Sequence, residues 1–216
     1  MRFIKIKNPD EIVDYISQAL SEKLDQNQKV LWLLSGGSAI GVEVKVAKKL
    51  NTIQNLDNLK IMLGDERYGQ PGHKDSNYTQ LQDAGFLLEV QPVLAGFDLG
   101  KTAQDYQSQF TRYADWADYI LCVAGLGTDG HTLGIKPASP ALTSQNLVEG
   151  YEWQDYIRLS LTPKAIERFR EVVVYACGPE KKPQLERLAQ NLPETEQVAQ
   201  VLKRCPKVLI FNDQLS

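Results

Sequence analysis

Apolar residues recur along the chain at two periods. Short runs rich in β-branched and aromatic side chains stand at Val30–Leu34, Leu59–Leu63, Tyr119–Ala124, Tyr156–Leu161, Val172–Ala176 and Val208–Phe211, with a weaker run at Phe3–Ile6. They are nearly continuous in apolar residues, as strands buried on both faces must be. Between them the spacing is helical. Over Pro9–Leu24, the side chains Ile12, Val13, Ile16, Ala19 and Leu20 fall on one face. Asn8 is placed to cap this helix, Pro9 suits its first turn, and Glu11 stands where a capping box needs an acid. Gly41–Leu50, Lys101–Trp116, Pro163–Phe169, Lys181–Asn191 and Thr195–Arg204 are the other expected helices, and Thr162-Pro163 repeats the cap-then-proline start.

Strand and helix alternate at the cadence of βαβ units. The expected class is α/β, with a mainly parallel, doubly wound, Rossmann-like sheet carrying helices on both faces. A length of 216 residues suits one domain over residues 1–216, with enough core to need no covalent staples. No internal repeat, low-complexity tract or linker interrupts the pattern. Gly64–Asp75 and Gly130–Tyr151 are expected to be long loops, and long loops in compact α/β domains tend to carry function.

Charge and cysteine narrow the class of partner. Twenty-four Lys and Arg against 27 Asp and Glu leave a net charge of −3. With no basic stripe to neutralise phosphates, a sequence-blind nucleic-acid binder is excluded. Three cysteines without CxxC spacing argue against a disulfide frame and a zinc site. Cys122 and Cys177 read as core residues and Cys205 as a peripheral thiol, in a reducing cytosol. The charged N-terminus has no signal-peptide core, and no window approaches the roughly 18 apolar residues of a membrane span. The expectation is a cytoplasmic protein with neither nucleic acid nor membrane as partner.

Chemistry collects after the strands. Val30–Leu34 runs into Ser35-Gly-Gly-Ser38, and Leu59–Leu63 into Gly64-Asp65-Glu66-Arg67. Tyr119–Ala124 runs into Gly125-Leu-Gly127-Thr-Asp129-Gly130-His131, and Val172–Ala176 into Cys177-Gly-Pro-Glu-Lys181. In an open parallel sheet these ends line one edge, where ligands bind. Paired glycines and two hydroxyls before a helix make Ser35–Ser38 an anion site, through free N–H groups and the helix dipole. A G-x-x-x-x-G-K-[ST] loop is absent, so a nucleoside triphosphate is not expected. Gly125-Leu-Gly127-Thr-Asp-Gly130 matches G-x-G-x-x-G literally. The dinucleotide fingerprint must open a helix, however, and Gly134, Pro137 and Pro140 follow instead. His131, with Asp129 two residues before it, fits a general base oriented by a carboxylate. Asp65 could hold sugar hydroxyls or a water, Arg67 could meet an anion, and Arg158 and Lys181 are further candidates for phosphate, whereas His73 reads as a loop residue and Trp32 and Trp153 as packing.

Together these motifs resemble the 6-phosphogluconolactonases, within the group that includes glucosamine-6-phosphate isomerase/deaminase. Ser35-Gly-Gly-Ser38, Asp65-Glu-Arg67 with Asp75-Ser-Asn77-Tyr78, Gly125-Leu-Gly-Thr-Asp-Gly-His-Thr132, Arg158-Leu-Ser-Leu-Thr162 and Gly178-Pro-Glu-Lys181 follow the family's order. The resemblance implies hydrolysis of 6-phosphogluconolactone to 6-phosphogluconate in the pentose phosphate pathway, with no metal or organic cofactor. It implies that His131, Asp129 and Asp65 form the catalytic set. Gly36, Gly37, Ser38, Arg158 and Lys181 would hold the phosphate, with Asp65 and Arg67 near the sugar; Lys136, which the family pattern does not supply, is a further candidate on the sugar side.

The chain departs from the family pattern at Ala39-Ile40, in place of Thr-Pro, and at Leu133-Gly-Ile-Lys136, in place of Ala-Ser-Leu-Phe. Lys136 sets a cation beside the expected site. Two other readings stay open. One is a sugar-phosphate isomerase or deaminase of the glucosamine-6-phosphate type. It is disfavoured because no acid lies between His131 and Glu149, although Asp65 could act as its base. The other is a non-catalytic sugar-phosphate sensor, which would have no use for Asp129 and His131.

Overall fold

A computed structural model describes residues 1–53 and 56–215. The chain opens with β1 (Arg2–Lys5), α1 (Asp10–Asp25), β2 (Val30–Leu34), α2 (Ile40–Leu50), β3 (Leu59–Leu63), β4 (Asp65–Arg67), α3 (Asn77–Asp83) and α4 (Leu99–Trp116). It continues with β5 (Tyr119–Gly125), α5 (Pro140–Thr143), β6 (Val148–Glu152), β7 (Ile157–Leu161), α6 (Pro163–Ile166), β8 (Glu171–Ala176), α7 (Lys182–Ala189) and β9 (Val208–Asn212).

Six strands form one parallel sheet in the order β1-β9-β8-β5-β2-β3. In register, Trp32 of β2 lies between Ile61 of β3 and Leu121 of β5. Every residue of β2 and β9 is buried, so both faces of the sheet are covered. The chain leaves β2 outward to β3, then returns to β5 and proceeds the other way to β8 and β9. The order therefore reverses between β2 and β5, and their C-terminal ends border a crevice.

β7 was expected in that sheet and is elsewhere. It pairs antiparallel with β4 and β6 in a separate three-stranded sheet. Its composition explains the placement: Ile157-Arg-Leu-Ser-Leu161 alternates polar and apolar, the pattern of a strand whose two faces meet different surroundings. The stretches expected to be long loops supply its partners. Gly64 accepts from Leu161 N–H at 3.0 Å and donates to Leu34 O at 2.7 Å, which joins the two sheets beside the crevice.

Helix starts follow the chemistry of their caps. Asp10 N–H donates to Asn8 Oδ1 at 2.9 Å while Asn8 N–H donates to Glu11 Oε1 at 3.3 Å, the reciprocal exchange of a capping box, with the helix itself beginning at Asp10. Thr162 stands at the start of α6, but its hydroxyl donates to Asn146 O rather than capping. That helix is shorter than expected, and bonds three residues apart carry the chain to Phe169. The segment Val198–Arg204 is a 3-10 helix. Its buried pairs Val198/Val201 and Ala199/Leu202 suit three residues per turn.

The core is led by Trp32, Tyr106, Phe110 and Phe169, all fully buried, and removing such a side chain from water is worth roughly 1.5–3 kcal/mol. The Tyr106 hydroxyl donates to Leu63 O at 2.6 Å, which fastens α4 to the end of β3 beside the crevice. Cys122 and Cys205 are buried and Cys177 is half-buried, so the peripheral thiol is Cys177 and not Cys205. Among the described residues no helix is long and apolar enough to cross a membrane.

Candidate active site

A cleft of about 270 Å³ opens where β2 and β5 end. One wall is the turn Ser35–Ser38. A 3-10 turn at Gly37–Ala39 carries the chain from it into α2. Gly37 takes a φ of +60°, a conformation that glycine adopts without a steric penalty. Ser35 N–H donates to Glu43 Oε1 at 2.7 Å, whereas the amides of Gly36, Gly37 and Ser38 donate to no protein acceptor among the described residues. Free amides at the entrance to a helix suit an anion. Lys181, in the turn before α7, lines the same cleft and forms no ion pair among the described residues.

The loop after β5 holds His131. Gly127 N–H donates to His131 O at 2.8 Å, Gly130 N–H donates to Gly127 O at 3.0 Å, and the Thr132 hydroxyl donates to Gly125 O at 3.0 Å. A Cβ on Gly127 would stand 2.0 Å from His131 Nδ1 and 2.6 Å from Asp129 Oδ1, so the turn can close only without a side chain. His131 Nδ1 contacts Asp129 Oδ1, which also accepts from His131 N–H at 3.2 Å. A carboxylate accepts only, so pairing with Asp129 favours the ring proton on Nδ1, which leaves Nε2 as the nitrogen free to accept a proton.

Lys136 is nearly buried. Its ammonium donates to Asp129 Oδ2 at 3.1 Å and stands 3.2 Å from His131 Nδ1. Partial burial opposes the charge on Asp129, but the bonds from His131 and Lys136 outweigh it and hold the carboxyl well below the ordinary range. Lys136 therefore fixes Asp129 while Asp129 fixes the imidazole.

The third side of the cleft comes from the antiparallel sheet. Asp65 and Arg67 of β4 stand in register with Ser160 and Arg158 of β7. Burial raises the Asp65 carboxyl despite the pull of Arg158, His131, Arg67 and Asn77. Asn77 Nδ2 donates to Asp65 O at 3.0 Å. Asp155 accepts from Arg158 Nη2 at 2.8 Å; burial works against its charge, but Arg158 and Lys136 overcome this and lower its pKa. Tyr156 offers its ring to two guanidiniums, with Arg67 Cζ 4.7 Å and Arg158 Cζ 5.6 Å from the centroid. Four cations (Arg67, Lys136, Arg158, Lys181) and two carboxylates (Asp65, Asp155) line the wall, so the cleft is locally positive on a chain of net charge −3.

Nine residues singled out in the sequence line this cleft: Gly36, Gly37, Ser38, Asp65, Arg67, His131, Lys136, Arg158 and Lys181. Asp129 is behind the wall, against His131. Asp65-Glu66-Arg67 is no solvated turn, since Asp65 is 7% exposed and Glu66 is fully buried. Glu66 instead accepts the N–H groups of Asn77 at 2.7 Å and Tyr78 at 3.1 Å, which satisfies the start of α3. His73 stays off the wall and contacts Arg67 O at 2.9 Å. Asp155 and Tyr156 were not anticipated. The only sequence signal for them is an acid and an aromatic shortly before Arg158.

This combination of a parallel sheet, a glycine turn with free amides at its reversal point and an Asp-held histidine lining the same cleft defines a class. The chain belongs to the glucosamine-6-phosphate isomerases/6-phosphogluconolactonase family, whose model matches residues 8–210. It is 26% identical over 231 aligned positions to a 6-phosphogluconolactonase of Borreliella burgdorferi, covering 99% of this chain and 96% of that one. It is likewise 26% identical over 201 positions to a 6-phosphogluconolactonase of Helicobacter pylori, covering 88% and 86%. In fold it is similar to 6-phosphogluconolactonase from Thermotoga maritima, with a TM-score of 0.81, 20% identity and 97% of each chain covered. A monomeric glucosamine-6-phosphate deaminase is similar almost to the same degree, with a TM-score of 0.78, 16% identity and coverage of 98% and 97%. The fold is thus common to two chemistries, and the choice between them falls to the site.

Proposed function

We propose that this protein hydrolyses 6-phosphogluconolactone to 6-phosphogluconate, as a cytoplasmic step of the pentose phosphate pathway. The observation that supports the reading is that His131, held by Asp129, and the free amides of Gly36, Gly37 and Ser38 line one cleft. The phosphate sits on that turn, with Lys181 and Arg158 supplying charge. Anchoring at this end positions the lactone carbonyl without touching the reacting atoms. His131 Nε2 takes a proton from water as its oxygen attacks the carbonyl carbon. Asp129 stabilises the resulting imidazolium, which returns the proton to the ring oxygen as the ester bond breaks. Arg67 and Lys136 place positive charge on the sugar side, where the oxyanion develops. A strained cyclic ester needs no covalent serine, and the residues need no cofactor for these steps.

Asp65 supports the second reading. A buried carboxyl with a raised pKa on the cleft wall is what an aldose–ketose proton transfer requires. The test follows acid release from freshly prepared 6-phosphogluconolactone, with His131→Ala in parallel. The expected result is turnover by the wild type and a loss of roughly 10²–10⁴-fold in the variant. Turnover no faster than buffer, or an unimpaired variant, overturns the assignment, and ammonia release from glucosamine 6-phosphate transfers it to the deaminases.

A further inference from the structure

Behind the anion turn lies a carboxyl that the mechanism above does not use. Glu43, in the first turn of α2, is fully buried. Its Oε1 accepts the Ser35 N–H at 2.7 Å, and its Oε2 has no hydrogen-bond partner among the described residues. The ion pairs of the cleft, Lys136–Asp129 and Arg158–Asp155, leave it out. A buried carboxylate with one neutral donor and no cation is costly, whereas a neutral carboxylic acid in that place is tolerated.

We propose that Glu43 is a positioning residue for the phosphate turn that acts in its uncharged form, tying down Ser35 while keeping negative charge away from the rear of the bound phosphate. The inference rests on the reading that a phosphate ester occupies this turn. If Glu43 ionised, its charge would lie one residue behind the free amides of Gly36, Gly37 and Ser38 and oppose the dianion they hold. The surroundings give that charge no relief. Asp65 of β4 acts on Glu43 with the same sign, and the nearby Cys122 thiol of β5 is kept neutral by burial. On α2 itself, Lys45, Lys48 and Lys49 are exposed, and Lys45 and Lys49 pair with Asp10 and Asp14 of α1. Burial, with Asp65 assisting, pushes the Glu43 carboxyl up to about 8. Near that pH a bound dianion draws a proton onto Glu43, so ligand binding and proton uptake are linked.

Calorimetric titration with 6-phosphogluconate tests this, because it needs no turnover. Between pH 7 and pH 9.5 the wild-type affinity is expected to fall about tenfold, the scale of one added charge near the ligand at intermediate dielectric. Repeating the titration near pH 8.5 in buffers of different ionisation enthalpy should show proton uptake by the wild type. Glu43→Gln keeps an acceptor for Ser35 N–H and cannot ionise, so its affinity should follow a flatter pH profile with the uptake gone. Glu43→Ala frees the Ser35 N–H and should weaken binding at every pH. The proposal is overturned by a wild type that takes up no proton, a measurement independent of any variant's folding. It is equally overturned by a Glu43→Gln profile that matches the wild type. If lactone turnover is intact in either case, only this inference fails. Absence of phosphate-ester binding overturns it together with the reading on which it rests.

Discussion

Replacing Gly127 with alanine isolates the His131–Asp129 pair from everything else in the cleft. The new methyl would lie 2.0 Å from His131 Nδ1 and 2.6 Å from Asp129 Oδ1, against the 3.4 Å at which ordinary contact begins. The ring must therefore retreat by about 1.4 Å (3.4 − 2.0), or the carboxylate must leave it. A misplacement of about 1 Å costs on the order of 10²-fold, and complete loss of an oriented base costs up to about 10⁴-fold. The expected fall in kcat is thus about 10²–10⁴-fold, equivalent to about 2.7–5.4 kcal/mol of barrier. KM should change far less, because the turn proposed to hold the phosphate belongs to a different element. The assay is initial-rate acid release from the lactone, with circular dichroism to establish that the variant is folded. Gly41→Ala is the control: a Cβ there meets nothing within 4 Å, and rates should match the wild type. A folded Gly127→Ala with kcat within threefold of the wild type would refute the placement of the imidazole.

Three further predictions bear on other parts of the site. Lys181→Ala, which removes the charge-assisted phosphate contact proposed above, should raise KM about tenfold to a hundredfold with kcat nearly kept; an unchanged KM places the phosphate elsewhere. Tyr156→Ala takes the ring from under Arg67 and Arg158 and should raise KM, while Tyr156→Phe retains the aromatic face and the wild-type value; equal effects of both would deny the stacking role. Stability should carry the signature of Glu43, whose folded value of about 8 exceeds its ordinary 4.5. Between these pH values the unfolded chain has released the proton that the folded chain keeps. Wild-type stability therefore falls with rising pH by up to about 1.4 kcal/mol per unit and levels off above the folded value. The melting temperature of Glu43→Gln, compared with the wild type, should rise relative to it from pH 5 to pH 8 and then hold steady; a gap independent of pH contradicts a neutral buried acid.

Continuous apolar runs made the parallel strands legible in the chain. β2 and β3 fall at Val30–Leu34 and Leu59–Leu63 as expected, and β5 runs only one residue further, because burial on both faces leaves little room for polar positions, Lys60 of the edge strand β3 being half-buried. β4 and β6 were not legible. Asp65-Glu-Arg67 is a charged triplet whose strand pairing depends on β7, which is remote in sequence, and Val148–Glu152 carries only two buried residues. Asp155 and Tyr156 gain meaning only once Arg67 and Arg158 come together in register. Glu43 lies among the valines Val42, Val44 and Val46, and helical spacing says nothing about what an interior carboxyl faces.

Local chemistry by itself determined the alternation of strand and helix, the glycine turn after β2 and the nearness of Asp129 to His131, because each depends on residues adjacent along the backbone. Tertiary structure alone decided that Lys136 would clasp Asp129, that the antiparallel sheet would furnish the third wall, and that Glu43 would back the anion turn. The physical reason is range: backbone sterics and periodicity act over a few residues, whereas the charge felt by a side chain depends on which distant segments packing brings within a few ångströms and how much water it removes from between them.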